Sequence, residues 1–487
     1  MVWTGQEIMT ATAAAGDAAG VAGMVCEAVS TDSRRAAPGV LFVALRGARH
    51  DGHDFAAEAL RAGASAVLVE RLAEGVDKRR ALVVPDTLRA LGDLAAYTRR
   101  RWGGRVVAIT GSNGKTTTKE MLAAICERSS LPREHLRERG RVRIGTGGGV
   151  LKTHGNENNL IGLPLTLLRL AGDEAVAVLE MGMNAPGEIA RLSAIAAPDV
   201  GLITNVGPAH LEGLGSIAGV AAAKGELFAA MDAAATIVVN MDDDWVARLA
   251  AGFRGRRIEF GSGRAVSASA IDDRGLHGVA FTLHVGARAA PVRLRMTGRH
   301  NVQNALAAAA AAHGLGVDLG RIAAGLAAAE PPKMRMQVIR LANGVTVVND
   351  AYNANPASSE AALDAIARTP GRAIAVLGEM RELGAESAVL HRRVGAHAAA
   401  CGVHWLLAVG PLAEEIAAGA RAAGTGLEVT VCDDAAGAAA VLIARWQPGD
   451  AILIKGSRGA DDEDAVRRYG ARMAEVAARL EAAGGRA

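Results

Sequence analysis

The sequence predicts an α/β protein of three domains, each a mostly parallel sheet covered by helices, and three observations carry that prediction. The chain has 487 residues, more than a single hydrophobic core organises. Short apolar runs alternate with helical stretches along nearly its whole length, the pattern of strand-helix-strand units. The run VVAITGSNGKTTTK, residues 106–119, joins an apolar strand to a helix start through a glycine loop.

Residues 1–103 form the first predicted domain. Apolar runs at Leu41–Leu45, Ala66–Val69 and Ala81–Val84 read as strands, with a helical stretch at Phe55–Ala62. The polar segment Thr98–Gly104, with its three arginines and two glycines, reads as the linker that ends this domain. Residues 104–332 form the second domain, where strands are expected at Ala175–Leu179, Val200–Thr204 and Thr236–Asn240 after the glycine loop. Strands separated by helices imply a mostly parallel sheet. The pattern stops near Glu330-Pro331-Pro332 and resumes in residues 333–487, with strands at Val345–Val348, Ala373–Leu377, Trp405–Val409 and Ala451–Ile454, which predict a doubly wound, Rossmann-like sheet. Between the first two strands of the second domain, Ser129–Val150 carries five arginines and a glycine run; it reads as a solvated loop, with a phosphate-binding arm as the alternative.

Composition narrows the function class. The formal net charge is +3, and no basic run alternates with aromatic residues, so nucleic acid is not an expected partner. The four cysteines, Cys26, Cys126, Cys401 and Cys432, form no C-x-x-C pair, which argues against a zinc or disulfide scaffold and fits a reducing cytoplasm. No uncharged apolar run approaches the roughly 20 residues that a membrane helix needs. Small anionic ligands fit this balance.

The glycine loop supplies the chemistry for such a ligand. Glycines let backbone approach a phosphate closely, N–H groups converge on it, and the helix N-terminus adds a positive field. Gly111, Ser112, Asn113 and Gly114 would form the cradle, with Lys115 on the outer phosphates, and Thr116 and Thr117 at the helix start. Ile109 stands where the usual pattern opens with glycine, so the loop is a shortened variant. Glu180 and His210 follow predicted central strands, at the sheet edge where open parallel sheets bind ligands, and Lys224 lies on the next helical stretch. With a phosphate loop, these groups suggest magnesium chemistry, because a hard cation takes carboxylate and hydroxyl oxygens.

The runs TGSNGKTTTKE, GNENNLIGLPLTLL, LEMGMNAPGEIA, NVGPAHLEGLGSIAGVAAAKGELF, GRHNVQNALAAAA and NDAYNANPAS resemble those of the Mur ligases of peptidoglycan synthesis, in the same order and over nearly the whole chain. The resemblance implies ATP and Mg²⁺ as cofactors, with Thr116, Glu180, His210 and Lys224 serving the metal and Lys224 carbamylated. It implies that Asn301, Asn304 and Asp350 handle the adenosine end and that Arg335 is the family's cofactor-binding arginine after the second domain, although KMRMQ departs from the usual glycine-arginine pairing there. The N-terminal segment, by the same resemblance, binds a uridine nucleotide through Ser30, Thr31, Asp32, Ser33 and Arg34, with Asp51 and His53 in a second contact segment. Asn353 and Asn355 of YNANP resemble dipeptide-site or interdomain residues. The implied reaction joins D-alanyl-D-alanine to UDP-N-acetylmuramoyl-tripeptide through an acyl phosphate, and a cytoplasmic monomer is expected. The rivals are the ligase for the third amino acid, a folylpolyglutamate synthase and a nucleotide-binding protein without turnover. YNANP, the absence of a DNPR-like motif and the intact Lys115, Glu180, His210 and Lys224 count against them.

Overall fold

The computed structural model describes residues 1–47, 49–129, 149–209, 211–424, 426–457 and 473–485. His210 and residues 130–148 of the arginine-rich segment lie outside the described residues. The end of that segment is described, and there Gly149 and Val150 open a strand rather than close a loop.

Three main sheets make up the molecule. The first contains β1 (Ala15–Gly16), β2 (Ala28–Ser30), β3 (Val40–Val43), β4 (Ala66–Val69) and β5 (Ala81–Val83), in spatial order β1-β5-β4-β3-β2. Its strands pair in parallel from β2 through β3 and β4 to β5, with β3 and β4 fully buried. The second contains β6 (Arg105–Thr110), β7 (Gly149–Lys152), β8 (Glu174–Glu180), β9 (Val200–Ile203), β10 (Thr236–Asn240), β11 (Arg256–Phe260), β12 (Val266–Asp273), β13 (Val279–Val285) and β14 (Arg288–Leu294). Its order is β14-β13-β12-β11-β10-β9-β6-β8-β7, which puts the glycine-loop strand β6 between β9 and β8. The third contains β15 (Gln337–Arg340), β16 (Thr346–Asp350), β17 (Ala373–Leu377), β18 (Trp405–Val409), β19 (Glu428–Cys432) and β20 (Ala451–Lys455), in order β15-β16-β20-β17-β18-β19, parallel except for the edge strand β15.

Helices cover both faces of the second and third sheets, so their central strands read as unbroken apolar runs rather than alternating ones. One core runs from Trp3 near the N-terminus and Leu41 and Leu68 of the first sheet into Leu163, Leu179 and Leu227 beside the second. The other face of the second sheet packs Val107, Val178 and Leu202 against an alanine-rich helix whose small side chains allow close approach.

Two sequence expectations change here. Thr98–Trp102 is not linker but the last turns of α1 (Thr87–Trp102), capped by the left-handed Gly103 at φ +73°. Arg99 is only 8% exposed; its guanidinium donates to Ala196 O at 2.9 Å and to Asp199 Oδ2 at 3.0 Å. Arg99 fastens the first domain to the second, while Arg101 pairs with Glu7 inside the first; the charge of Arg99 misled the linker reading because it is satisfied inside the protein. Residues 256–294, for which no strands were expected, add one parallel strand and an antiparallel hairpin ladder to the second sheet. One side of that ladder is wet, as in Arg288 and Arg293, so its apolar signal is diluted.

Candidate functional site

The glycine loop connects β6 to α2 (Lys115–Glu127) at the carboxyl end of the second sheet. Gly111 has φ +146° and Gly114 φ +81°, conformations that L side chains rarely adopt. A side chain at Gly111 would also collide with Thr204 Oγ1, and one at Gly114 with Asn304. The segment after β9 holds the loop in shape. Asn113 N donates to Asn205 Oδ1 at 2.9 Å, Thr204 Oγ1 donates to Asn113 O at 2.6 Å, and Ser112 Oγ exchanges hydrogen bonds with the backbone of Gly207 at 3.0 and 2.9 Å. Thus the N–H cradle is fixed by groups more than ninety residues away.

Two oxygens converge beside it. Thr116 Oγ1 donates to Glu180 Oε2 at 2.8 Å, while Asn158 Nδ2 donates to the other Glu180 oxygen at 2.8 Å. Glu180 is only 2% exposed, and its backbone N–H binds Thr153 Oγ1 at 2.9 Å. Lys119, fully buried, donates to Thr153 O at 2.6 Å and so ties this strand end to α2. Lys115 Nζ donates to Gly111 O at 2.7 Å; withdrawal from water pushes its pKa down, Glu180 opposes the shift, and Arg335 adds to it.

Lys224, on α3 (Ile217–Ala229), is 2% exposed. Burial pushes its pKa well down, the Lys115 charge pushes further, and no carboxylate among the described residues offsets them. Burial and a neighbouring cation both favour the neutral amine over the ammonium.

The cleft above the loop is completed from the third sheet. Its lining joins Ser112–Thr117, Asn301 and Asn304 of the second domain to Arg335, Asp350, Asn353 and Asn355 of the third. Asn301 and Asn304 lie on α4 (His300–Gly314), with Asn304 Nδ2 donating to Asn301 Oδ1 at 2.8 Å. Arg335 reaches across to donate to Thr116 Oγ1 at 2.9 Å, and its guanidinium stacks 4.2 Å from the Tyr352 ring centroid. Asp350 accepts from Met336 N at 3.0 Å and pairs with the buried Lys455 at the end of β20. Asn355 caps α5 (Pro356–Ala367) through Ser358 N, and its Nδ2 donates to Asn113 Oδ1 of the glycine loop at 2.7 Å. Asn353 Oδ1 accepts from Ser457 Oγ at 3.2 Å.

The N-terminal candidates lie elsewhere: no residue of Ser30–Arg34 lines this cleft. Ser30 Oγ donates to Asp32 O at 3.0 Å, and Asp32 accepts from the Arg34 guanidinium at 2.8 Å. Thr31 and Ser33 are half-buried in the same turn. His53 is fully buried with both ring nitrogens engaged, one 2.5 Å from Asp51 Oδ1 and the other accepting from Glu70 N at 2.8 Å. His53 therefore shapes its segment from within. Asn158, Asn205, Thr153, Lys119, Tyr352 and Lys455 were not singled out in the sequence; the asparagines sit in the runs GNENN and NVGPAH, but no spacing rule marks them.

Comparison with known proteins fits this geometry. Residues 26–99 match the model described as Mur ligase family, catalytic domain; residues 109–312 the Mur ligase middle domain; and residues 334–458 the Mur ligase, glutamate ligase domain. The chain is 40% identical to the UDP-N-acetylmuramoyl-tripeptide–D-alanyl-D-alanine ligase of Escherichia coli, over 92% of this chain and 94% of that protein. A crystal structure of MurF from Acinetobacter baumannii superposes with a TM-score of 0.85 at 34% identity, covering 96% of this chain and 98% of that one. The MurF ligase of Thermotoga maritima in complex with ADP superposes at 0.77 and 29% identity, covering 94% and 97%.

Proposed function

The chain belongs to the Mur ligase family, and we propose that it joins D-alanyl-D-alanine to UDP-N-acetylmuramoyl-tripeptide while ATP becomes ADP and phosphate. The observation that carries this reading is the convergence of Lys115, Thr116 and buried Glu180 under a cleft completed by the YNANP segment.

A carboxylate is a poor electrophile. The tripeptide carboxylate first attacks the γ-phosphorus, giving an acyl phosphate and ADP; the dipeptide amine then adds to the acyl carbon, and phosphate leaves from the tetrahedral intermediate. Lys115, freed from Gly111 O, would stabilise phosphate charge, and the loop N–H groups would hold the β-phosphate. Arg335, which bonds Thr116 Oγ1 and stacks on Tyr352, would neutralise phosphate oxygens from the third-domain side of the cleft. No protein nucleophile is required, and enclosure protects the acyl phosphate from water.

The hydroxyl of Thr116 and the carboxylate of Glu180 are hard oxygen donors, already converged, and fit Mg²⁺. Thr116 and Glu180 would hold one ion, with His210 and carbamylated Lys224 serving a second, and the metal supplies charge neutralisation on phosphate oxygens. The burial of Lys224 suits carbamylation: a neutral amine attacks CO₂, loses a proton and becomes an anionic oxygen ligand. The nucleotide substrates fit a cytoplasmic reaction, and a monomer is proposed because both halves of the cleft come from one chain.

The decisive experiment mixes purified protein, ATP, UDP-N-acetylmuramoyl-tripeptides ending in diaminopimelate or lysine, and a dipeptide panel. Phosphate release that depends on D-alanyl-D-alanine, with the pentapeptide product seen by mass spectrometry, is expected. Phosphate release indifferent to the dipeptide would defeat the assignment.

A further inference from the structure

Away from the cleft, α5 and α6 (Ser387–Ala400) run side by side on one face of the third sheet. Their seam is a ladder with helical spacing. Glu360 pairs with Arg393 at 2.7 Å; one turn on, Asp364 Oδ1 lies 2.8 Å from His397 Nε2; one turn further, the seam reaches Cys401, which caps α6. The matching position, Arg368 at the C-terminal cap of α5, turns away to pair with Asp273 at 2.9 Å. The ladder of ion pairs thus gives way to a carboxylate, an imidazole and a thiol.

The potential ligand atoms of Asp364, His397 and Cys401 all lie within 4.8 Å of one another, and each residue is half-buried. No other such group of three occurs among the described residues. His397 and Cys401 share a helix face at i, i+4, so a single ion can reach both. Zinc bonds of about 2.0–2.3 Å put tetrahedral ligand atoms roughly 3.3–3.8 Å apart, within reach of small side-chain rotations here. Cys401 Sγ donates to Ala398 O at 3.5 Å, and the backbone N–H groups of Cys401 and Val403 also face the sulfur and would favour the thiolate that a metal takes.

We propose that Asp364, His397 and Cys401 bind a zinc-like divalent cation, with solvent as fourth ligand, clamping α5 to α6. Binding forms a metal–sulfur bond and releases the thiol proton to water; no electron moves. Thiolate and imidazole prefer a softer ion than magnesium, so this site is chemically distinct from the all-oxygen pair Thr116 and Glu180. The clamp would steady α5, the helix whose first turn carries Asn355 to the glycine loop.

The probe is cobalt(II), added to the reduced, metal-free full-length protein with excess Mg²⁺ filling oxygen sites. One equivalent should produce a thiolate-to-cobalt charge-transfer band and the intense visible absorption of a tetrahedral ion, both lost on adding zinc. Cys401→Ser and Cys401→Ala should abolish the charge-transfer band. Asp364→Asn and His397→Ala should weaken cobalt binding by more than the roughly 10–100-fold that outer-shell changes cost. Circular dichroism and magnesium-supported turnover should stay as in the parent. No charge-transfer band in the reduced parent, or the same band in folded Cys401→Ser, would overturn the site.

Discussion

The cleft and the N-terminal turn both gather polar side chains, but they hold them differently. In the cleft, partners come from remote parts of the chain: Thr116 with Glu180, Arg335 with Thr116, Asn355 with Asn113. Several are withdrawn from water, so a lost partner leaves a costly unsatisfied group. In the N-terminal turn, Asp32 binds Arg34 two residues away, and the Arg34 side chain is 87% exposed. The order of the cleft depends on tertiary structure. The turn is a local motif whose hydrogen bonds close within a few residues, and that contrast predicts where mutations will hurt.

Lys115→Ala should have the largest effect. Turnover should fall by at least about 10²–10³-fold, the range for removing a preorganised charge or donor at a reacting oxygen. The melting temperature should hardly change, since the lysine bonds only a loop carbonyl rather than packing a core. Phosphate release and thermal unfolding measured together check both halves; near-parental turnover would remove the ATP-site assignment.

Lys224 comes next and separates function from stability. Lys224→Ala should lose most activity and regain part of it with added acetate, which can occupy the vacated space as a carboxylate. In CO₂-free buffer, Lys224→Met should melt higher than the parent. The sign follows from the depressed native pKa: from that value up to the ordinary lysine range, the unfolded chain binds a proton that the native protein lacks. The lysine therefore costs stability at neutral pH, and removing it returns that cost. A lower melting temperature for Lys224→Met would mean that a buried anion compensates the amine.

Asn355→Ser tests the bridge between domains. Serine keeps the cap on α5 but cannot reach Asn113. The loss should be about 0.5–1.5 kcal/mol in coupling, as for one neutral hydrogen bond. A double-mutant cycle with Asn113→Ala on the KM for ATP measures it; additive effects would show that the contact carries no coupling.

The same contrast explains what was legible in the sequence. The strands of the second and third sheets are buried on both faces, and Val200–Ile203, Ala373–Leu377 and Trp405–Val409 announced themselves as apolar runs. The glycine loop was legible because phosphate binding restricts residue type at consecutive positions. The ladder of residues 266–294 was not, because a half-wet antiparallel strand such as VSASAIDD carries too little apolar signal. Arg99 was misread because sequence gives charge but not the carbonyls that receive it. Asn158 and Asn205 were missed for a related reason: an asparagine acquires its role from a partner dozens of residues away, so Glu180 could be named while its brace could not.

Arg34→Ala should give the smallest effect on the folded protein and sharpen the comparison most. Its side chain packs against nothing buried, and exposed ion pairs contribute little to stability, so the melting temperature should not move. If the turn receives the nucleotide sugar, the KM for that substrate should rise about three- to tenfold while kcat holds, the signature of uniform binding lost from ground and transition states alike. The KM for ATP should be unaffected, because the cleft lining includes no part of this turn. Initial rates with each substrate varied in turn decide the matter. Equal rises in both KM values would tie the turn to the cleft and dissolve the distinction between a built site and a waiting one; no rise in either would leave Arg34 as surface charge and move nucleotide-sugar recognition elsewhere.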